Sequence, residues 1–280
     1  MRKVNLLTAY PYTKPSLVDA IGAQGDKLCW LLDSGAFTAW KSGKPIKLDD
    51  YCRYLDALPV RPWKYFALDV VGDHVNTMKN FREMIKRGYK PMPVFTPGQP
   101  PEDLEEYYAH ADLVGFGGIT TKSSNATRNY IALMMQRAQG RNVHLLGYTS
   151  VEWLKVFKPF SCDSTTWATG STRFGHMQLY MGNGKSKTLT REDCTARPPS
   201  DIMNRIRKLG VDPMRLQSAD EWRNMNQQQT ALRQVSTASW LLLMWDVEKH
   251  LKTKLFLACG SAEDVSSIMA RAAQMHGSGL

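Results

Sequence analysis

The feature that most constrains the fold of this chain is a regular alternation of short apolar runs with amphipathic stretches over its first two-thirds. The apolar runs are rich in aliphatic and β-branched residues, which predicts strands that are buried on both faces. Strands of this kind, separated by helices, form a parallel sheet that the helices cover. The predicted strands are Asn5–Tyr10, Leu28–Asp33, Tyr65–Asp69, Met92–Phe95, Leu113–Phe116, Val143–Leu146, Phe160–Asp163 and Met177–Met181.

The stretches between these strands predict helices, and several of them have recognisable ends. Asp49–Leu58 opens with acidic residues, which stabilise a helix N-terminus. Asn76–Arg87 ends with two basic residues before Gly88, a typical stop signal. About eight strands alternating with helices favour a (β/α)8 barrel of the TIM type over an open doubly wound α/β sheet. The other helices predicted in this part are Ser16–Ile21, Pro101–Ala109, Ala126–Gln139 and Ser150–Phe157.

The pattern changes after Gly184, where helical stretches dominate. Ala231–His250, within the long predicted helix Ala219–Lys252, is apolar almost all round, so it should be well buried. We therefore predict a TIM-type barrel catalytic region at residues 1–184 and a mainly helical C-terminal region at residues 185–280, packed on the barrel. The segment Thr165–His176 is too polar and too rich in Gly and Thr for a packed helix, which predicts a functional loop or a crossover of unusual shape. The other C-terminal helices predicted are Pro198–Leu209 and Ala262–Met275.

The net charge indicates which class of partner the protein binds, and the cysteines indicate the redox state of its compartment. The formal net charge of +10 favours a polyanionic partner such as DNA or RNA. The five cysteines are scattered and form no C-x-x-C pair, which indicates reduced thiols in a cytoplasm-like compartment. No apolar run is long enough to span a bilayer, and the N-terminus leads directly into a strand. We expect a cytoplasmic protein without a signal peptide or a membrane partner; the pattern gives no indication of its oligomeric state.

Three aspartates follow predicted strands at the end where parallel barrels carry their active sites. Asp33 ends the second strand, Asp69 the third and Asp163 the seventh. Because the carboxyl ends of the strands meet at one rim, we expect these carboxylates to share a pocket. A single aspartate at such a point is better explained by a helix cap or a turn. Three on one rim favour a site.

Glycines, aromatic rings and basic side chains near the same rim suit a flat, anionic ligand. Gly117 and Gly118 would let such a ligand meet backbone N–H groups, although a tight turn that needs glycine also explains them. Trp40, Tyr148 and Trp167 offer stacking faces, with packing in the core or at the rim as the alternative. The basic residues that could hold phosphates, or that are plain solvated surface, are Lys41, Lys44, Lys122, Arg128 and Arg173.

Between about residues 28 and 170 the sequence resembles the tRNA-guanine transglycosylases. The segments that carry the resemblance are Asp33-Ser34-Gly35-Ala36-Phe37, Asp69, Gly115-Phe116-Gly117-Gly118-Ile119, Leu145-Leu146-Gly147 and Phe160-Ser161-Cys162-Asp163. Each segment is short, and their joint order is the specific feature. The small size of the chain is similar to that of the virus-encoded relatives that insert 7-deazaguanines into DNA.

The resemblance implies an enzyme that exchanges guanine in a nucleic acid for a free 7-deazaguanine base, such as 7-cyano-7-deazaguanine, without a cofactor. It implies that Asp163 is the nucleophile that attacks the sugar C1′. It also implies that Asp33 is the acid/base residue for the proton of the base, and that Asp69 reads the N1–H and N2–H₂ edge of guanine.

The same resemblance implies a base pocket. Gly117 and Gly118 would meet the base O6, while Gly147 and Tyr148 would line the pocket. The family has a glutamine at the end of the fourth strand, where this chain has Thr96 with Gln99 nearby. Either of these two residues is a candidate for its role.

One departure from the family changes the expected substrate. The members that act on tRNA carry a C-x-C-x-x-C plus His zinc site after the nucleophile, whereas Cys194 and Cys259 stand alone here. We therefore predict no zinc subdomain, and DNA as the substrate in preference to tRNA, with RNA left open. Two rival readings are a metal-dependent barrel hydrolase or lyase, in which His144 or His176 joins the aspartates, and a non-catalytic nucleic-acid binder.

Overall fold

The structure is a computed structural model that describes residues 1–119, 124–168, 175–196, 198–224, 227 and 229–278. The predictions for Lys122 and Arg173, and residues 169–174 of the predicted loop, lie outside these ranges. The chain has an α/β fold, in which the described strands form an eight-stranded parallel sheet and a two-stranded hairpin. In chain order the strands are β1 (Val4–Ala9), β2 (Leu28–Asp33), β3 (Lys64–Tyr65), β4 (Val94–Phe95), β5 (Val114–Phe116), β6 (Val143–Leu145), β7 (Ser161–Ser164), β8 (His176–Gly182), β9 (Lys185–Thr190) and β10 (Lys254–Ala258).

The parallel sheet is curled. Its strand order is β3-β2-β1-β10-β7-β6-β5-β4. Phe66, the residue after β3, forms a parallel bridge with Met92, which lies two residues before β4. The Met92 N–H donates to the Tyr65 carbonyl, and the Ala67 N–H donates to the Met92 carbonyl, both at 2.8 Å. All the predicted strands up to Phe160–Asp163 are therefore confirmed as members of this sheet, with ends that differ by a few residues.

The eighth strand of the sheet is not the predicted one. Met177–Met181 lies in β8, which pairs antiparallel with β9 across a turn at Asn183 and Gly184, both with positive φ (53° and 72°). A two-residue Asn-Gly turn joins antiparallel strands and leaves no room for the crossover that a parallel neighbour needs. The vacant position between β1 and β7 is filled by β10. Residues 185–280, predicted as mainly helical, thus contribute a strand to the central sheet.

Helices cover the sheet, and most of them match the predicted stretches. One prediction is wrong: Ala219–Lys252 is two helices, because the Thr230 side chain caps a new helix by accepting from the Arg233 N–H at 3.2 Å. None of the described helices has the length and apolarity needed to cross a bilayer. The helices are α1 (Pro15–Gly22), α2 (Ala36–Ser42), α3 (Leu48–Ala57), α4 (His74–Lys86), α5 (Pro101–His110), α6 (Ser124–Ala138), α7 (Val151–Phe157), α8 (Arg191–Thr195), α9 (Ser200–Lys208), α10 (Ala219–Arg223), α11 (Ala231–Leu251) and α12 (Ala262–Gly277).

Both faces of the sheet are buried, which explains why its strands are continuous apolar runs. Leu6 and Leu32 belong to the large core between the sheet and the helices. Leu7 and Leu31, their neighbours along the strands, belong to a smaller core on the inner face, with Phe66 from the third strand. Successive side chains of a strand point to opposite faces, so each strand feeds both cores. This alternation also decides which polar side chains face the inside of the curled sheet.

Candidate active site

Asp33 lies where β2 ends, and the turn that follows it requires glycine. Gly35 has a φ of 76°, and a Cβ at this position would lie 2.2 Å from Cδ of Pro11. The Gly35 N–H donates to Oδ1 of Asp33 at 2.5 Å. Burial raises the pKa of Asp33 to about 7; the hydrogen bond from Gly35 opposes this shift, and the charges of Asp69 and Asp163 add to it. Asp33 can therefore exchange a proton at neutral pH.

Asp69 follows the third strand and lies next to the end of the second. Ser34, the residue after Asp33, donates its hydroxyl to Oδ1 of Asp69 at 3.1 Å. Burial raises the pKa of Asp69 to about 6, and the Ser34 hydrogen bond opposes that shift. A partly buried carboxylate with a hydroxyl behind it can accept hydrogen bonds from donors that enter the site.

Asp163 lies near the end of β7 and is held from the neighbouring strand. Its Oδ1 accepts from the Gly147 N–H at 2.8 Å and lies 3.1 Å from Nε2 of His144. Nδ1 of His144 lies 2.8 Å from Oγ of Ser161. Cys162 belongs instead to the helix-facing core, as expected for the alternate face of the strand. Although Ser161, His144 and Asp163 have the composition of a hydrolase triad, Ser161 is fully buried and its hydroxyl cannot meet a substrate.

The three predicted carboxyl groups lie in one electrostatic neighbourhood. The negative charges of Asp69 and Asp163 each raise the pKa of Asp33, an effect that is significant only at short range in a partly buried site. Asp33 and Asp69 are also joined through Ser34, since this residue follows the first and hydrogen-bonds to the second. Carboxyl groups with different environments in one pocket allow one to carry a proton while another acts as a charge or a nucleophile.

Gly117 and Gly118 follow β5 and pack tightly against the end of the fourth strand. A Cβ at Gly117 would lie 3.0 Å from Cγ1 of Val94 and 3.3 Å from Cγ2 of Thr96. A Cβ at Gly118, where φ is 68°, would lie 2.7 Å from Cδ of Pro97. Gly118 is exposed and Gly117 is buried. Packing alone therefore accounts for both glycines, and only Gly118 presents its backbone to solvent.

Thr96 and Gln99, the two candidates for the glutamine of the family, have different environments. Gln99 is only 5% exposed. Its Oε1 accepts from the Thr96 N–H at 2.6 Å, and its Nε2 donates to the Tyr107 hydroxyl at 3.1 Å and to Oδ2 of Asp103 at 3.3 Å. Both ends of the Gln99 amide are thus engaged within its own loop and helix. Thr96 is the one with a side chain next to Gly117.

Gly147 and Tyr148 follow the sixth strand, and Arg128 of α6 lies close enough to Tyr148 to influence its charge. Gly147 is exposed, and its N–H is the one that contacts Asp163. Tyr148 is half-buried, and the positive charge of Arg128 lowers its pKa while burial, the larger effect, raises it. The Arg128 guanidinium also lies 4.7 Å from the ring centre of Trp153. These residues place a cation and an aromatic ring beside the loop that holds Asp163.

The helix that follows the Asp33–Gly35 turn, α2, presents aromatic and basic side chains to solvent. Phe37 and Trp40 are 44% and 58% exposed, with ring centres 5.9 Å apart. Nζ of Lys41 lies 4.6 Å from the ring centre of Phe37, and Lys44 is exposed just beyond the helix. A cavity of about 220 Å³ lies between this helix and the loop after the third strand, lined by Trp40 and Asp69 among others.

Comparison with protein-family models, with curated proteins and with solved structures gives no match for this chain. The chemistry of the site therefore rests on its own residues. Within the described ranges, no three or more His, Cys, Asp and Glu side chains are grouped so that they could hold a metal ion.

The residues that support the aspartates gave little signal in the sequence, and of the two explanations offered for Trp167 the structure shows packing in the core. Ser34 and Ser161 stand next to or near aspartates, a common arrangement that gives no signal by itself. His144 had a weak signal, because it is the one polar residue in the strand Val143–Leu145. Trp167 is only 1% exposed and donates to the Ala258 carbonyl at 2.7 Å, so it packs in the core and offers no stacking face.

Proposed function

We propose that this protein is a transglycosylase that exchanges guanine in DNA for a 7-deazaguanine base. The observation that carries the proposal is the shared neighbourhood of Asp33, Asp69 and Asp163, in which Asp33 has a pKa of about 7. We further propose that the sheet is a closed (β/α)8 barrel of the TIM type; the bridge between Phe66 and Met92 supports closure. In that barrel β10 is the eighth strand, and the helices between the hairpin and α11 are the C-terminal addition.

In the first step Oδ2 of Asp163 attacks C1′ of the target nucleotide. The O–C1′ bond forms as the C1′–N9 bond breaks, through a transition state with oxocarbenium-ion character that the carboxylate stabilises. Protonated Asp33 transfers its proton to the departing base, so guanine leaves neutral and Asp33 becomes a carboxylate. The nucleotide is then joined to Asp163 as an ester, and the site holds one negative charge fewer on Asp163 and one more on Asp33.

The second step reverses the first with a different base. The incoming 7-deazaguanine gives its N9 proton to the Asp33 carboxylate while N9 attacks C1′ and the ester bond breaks. Two displacements at one carbon restore the original stereochemistry, and no energy cofactor is consumed. A group with a pKa of about 7 suits both halves of this cycle, because it must donate a proton and later accept one at the same pH.

Asp69 gives the reaction its preference for guanine-like bases. With a pKa of about 6 it is mainly ionised at neutral pH, when it can accept hydrogen bonds from N1–H and the exocyclic N2–H₂ group. Adenine has neither donor in this position and would leave the carboxylate without a partner, which costs more than the lost contact alone. Thr96 and the exposed backbone of Gly118 are the candidates for the opposite edge of the base.

Nucleic acid is the proposed substrate because of the surface around the pocket. Lys41 and Lys44 lie in and just after α2, which follows Asp33, and Arg128 lies near Tyr148; these side chains can hold backbone phosphates. The target base must leave the stack before C1′ can reach Asp163, and the exposed rings of Phe37 and Trp40 offer faces for unstacked bases.

The decisive experiment is base exchange followed by mass analysis. Purified protein is incubated with guanine-labelled single-stranded DNA, duplex DNA or tRNA and with 7-cyano-7-deazaguanine, and the nucleic acid is then digested to nucleosides and weighed. We expect release of labelled guanine and the mass of the deazaguanine nucleoside in DNA. Incorporation into tRNA alone would correct the substrate, and no incorporation into any of the three would refute the proposal.

A single substitution tests the assignment of Asp163 as the nucleophile. Asp163→Asn keeps the shape of the side chain but removes the nucleophilic charge, so we expect loss of exchange and of any denaturation-resistant protein–DNA adduct. Asp26→Asn, which removes a charge from an exposed position before the second strand, is the matched control and should exchange normally. Full guanine exchange by Asp163→Asn would rule out the covalent route through this residue.

A further inference from the structure

A fully buried histidine lies directly beside the proposed nucleophile. His144 packs between the rings of Phe66 and Phe256, with ring centres at 5.4 and 6.3 Å, on the inner side of the sheet. A polar ring in such surroundings is costly unless its nitrogens have partners. Both have one: Nε2 faces Oδ1 of Asp163 at 3.1 Å and Nδ1 faces Oγ of Ser161 at 2.8 Å.

The two partners decide which nitrogen carries the hydrogen. An ionised carboxylate can only accept, so Nε2 must be the donor toward Asp163. In the neutral imidazole Nδ1 is then an acceptor, and the hydroxyl of Ser161, which can donate or accept, supplies its hydrogen. The series Ser161 O–H, His144 Nε2–H and Asp163 thus points every hydrogen toward the carboxylate.

The two carboxylate oxygens of Asp163 differ in the hydrogen bonds that they accept. Oδ1 accepts from His144 and from the Gly147 N–H at 2.8 Å, while none of the residues that the structure describes donates to Oδ2. About an eighth of the Asp163 side chain is exposed (13%), although His144 and Ser161 behind it are fully buried. The carboxylate is therefore held from one side and open on the other.

We propose that His144, supported by Ser161, is the positioning residue that holds Oδ1 of Asp163 so that Oδ2 faces C1′. This inference rests on the proposed function, because it requires Asp163 to act as the nucleophile. In the covalent step Oδ2 forms the bond to C1′ and Oδ1 becomes the carbonyl oxygen of the ester. Oδ1 still accepts from His144 and Gly147 afterwards, and no proton passes through the imidazole.

Two substitutions separate this role from simple packing. His144→Gln keeps an N–H donor that can reach Asp163, whereas His144→Phe fills the space of the ring without a donor. We expect His144→Phe to lower kcat about 10- to 100-fold, the loss expected when a hydrogen bond to a charged group is removed, with an unchanged KM for the free base. His144→Gln should stay within about fivefold of the wild-type kcat on the same scale.

A merely structural histidine gives a different result. In that case both variants lose activity in proportion to their thermal stability, or His144→Phe keeps the wild-type kcat; either outcome overturns the inference. A wild-type protein that exchanges no base in any nucleic acid refutes the proposed function instead.

The hydrogen position can be measured without any activity. A long-range ¹H–¹⁵N correlation spectrum of the wild-type protein, with the His144 signals assigned by their loss in His144→Gln, reports which ring nitrogen is protonated. We expect the neutral form with hydrogen on Nε2. Hydrogen on Nδ1 alone would contradict the inference even if exchange is observed.

Discussion

Asp33 shows how one residue is prepared for proton transfer by its surroundings. Burial behind the turn at Gly35 is the largest cause of its raised pKa, and the charges of Asp69 and Asp163 act in the same direction. The single backbone hydrogen bond from Gly35 is too weak to offset these effects. A carboxyl group in this position is retained at a cost in stability, which is typical of functional rather than structural residues.

That cost can be measured through the pH dependence of unfolding. The pKa of Asp33 is about 7 in the folded protein and near its usual 3.8 in the unfolded chain, so the folded state binds more protons between these values. The free energy of unfolding therefore falls as the pH rises through this window. Asp33→Asn removes the buried charge and should be more stable than the wild type by about 1–3 kcal/mol at about pH 8, with little difference near pH 4.

Urea unfolding at the two pH values checks this expectation. Asp26→Asn is the matched control, since the same change at an exposed position should alter stability by less than about 0.5 kcal/mol. If Asp33→Asn proves less stable than the wild type at the higher pH, the environment assigned to Asp33 is wrong.

At the scale of elements, α2 links the carboxylates to the outer surface. It starts directly after the Asp33–Gly35 turn and ends at Gly43, and both glycines have positive φ (76° and 66°). Between them the helix presents Phe37, Trp40 and Lys41 beside the pocket. The position of this short helix thus fixes how far the surface proposed for the nucleic acid lies from Asp33, the proposed proton donor.

The two ends of α2 provide a matched pair of substitutions. A Cβ at Gly35 would lie 2.2 Å from Cδ of Pro11, whereas nothing lies within 4 Å of a Cβ at Gly43. Gly43→Ala should lower the free energy of unfolding by about 1–2 kcal/mol, because alanine is disfavoured in the left-handed conformation, and should keep activity. Gly35→Ala adds the clash with Pro11 and should lower the free energy of unfolding by about a further 1–3 kcal/mol. It should also abolish base exchange, because Asp33 is displaced. Thermal melts and exchange rates of both variants test this, and equal effects would contradict it.

At the scale of the whole molecule, the C-terminal part completes the sheet. Phe256 of β10 lies opposite Asp163 in register, and Leu257 lies opposite Leu6 of the first strand. The side chains of Leu255, Phe256 and Leu257 are fully buried. The strand that carries the proposed nucleophile is therefore supported by residues about 90 positions further along the chain.

Truncation after Gly184 should consequently abolish folding. The shortened chain leaves the inner edges of β1 and β7 unpaired and exposes the apolar surface that β10 and α11 cover. We expect no cooperative thermal transition by circular dichroism, in contrast to the full chain under the same conditions. A cooperative transition of residues 1–184 would support the division at residue 184 that the sequence pattern suggests.

The distribution of positive charge over the molecule gives a prediction about binding. Lys41 and Lys44 lie at the carboxyl ends of the strands, whereas Lys27 and Lys249 are also exposed but lie at the opposite ends. Binding of a single-stranded oligonucleotide should weaken steeply with salt. Changing Lys41 and Lys44 together to Gln should reduce the slope of log K against log salt by about 1.4, while the same change at Lys27 and Lys249 leaves it unaltered. A flat salt response of the wild type would argue against a surface that binds phosphates.

Local patterns along the chain were enough to predict most of the strands and helices and the candidate carboxylates. Apolar runs such as Leu28–Asp33 are strands because both of their faces are buried, and this leaves a continuous pattern in the sequence. The helix ends near Asp49 and Gly88 were readable because acidic residues in a first turn and glycine stop signals act over a few residues. Asp33, Asp69 and Asp163 stood out because three carboxyl groups follow strands whose carboxyl ends meet at one rim.

The strand that completes the sheet and the surroundings of each carboxylate depend on contacts between distant parts of the chain. Met177–Met181 and Lys254–Ala258 both form short strands. Only the second pairs with the parallel sheet, because it meets strands that are distant in the sequence, and no local pattern encodes such pairing. The role of His144 likewise depends on Ser161 and Asp163, which approach it across neighbouring strands. Burial and pairing are properties of the folded surroundings, so pKa values and hydrogen-bond partners could not be obtained from residue order.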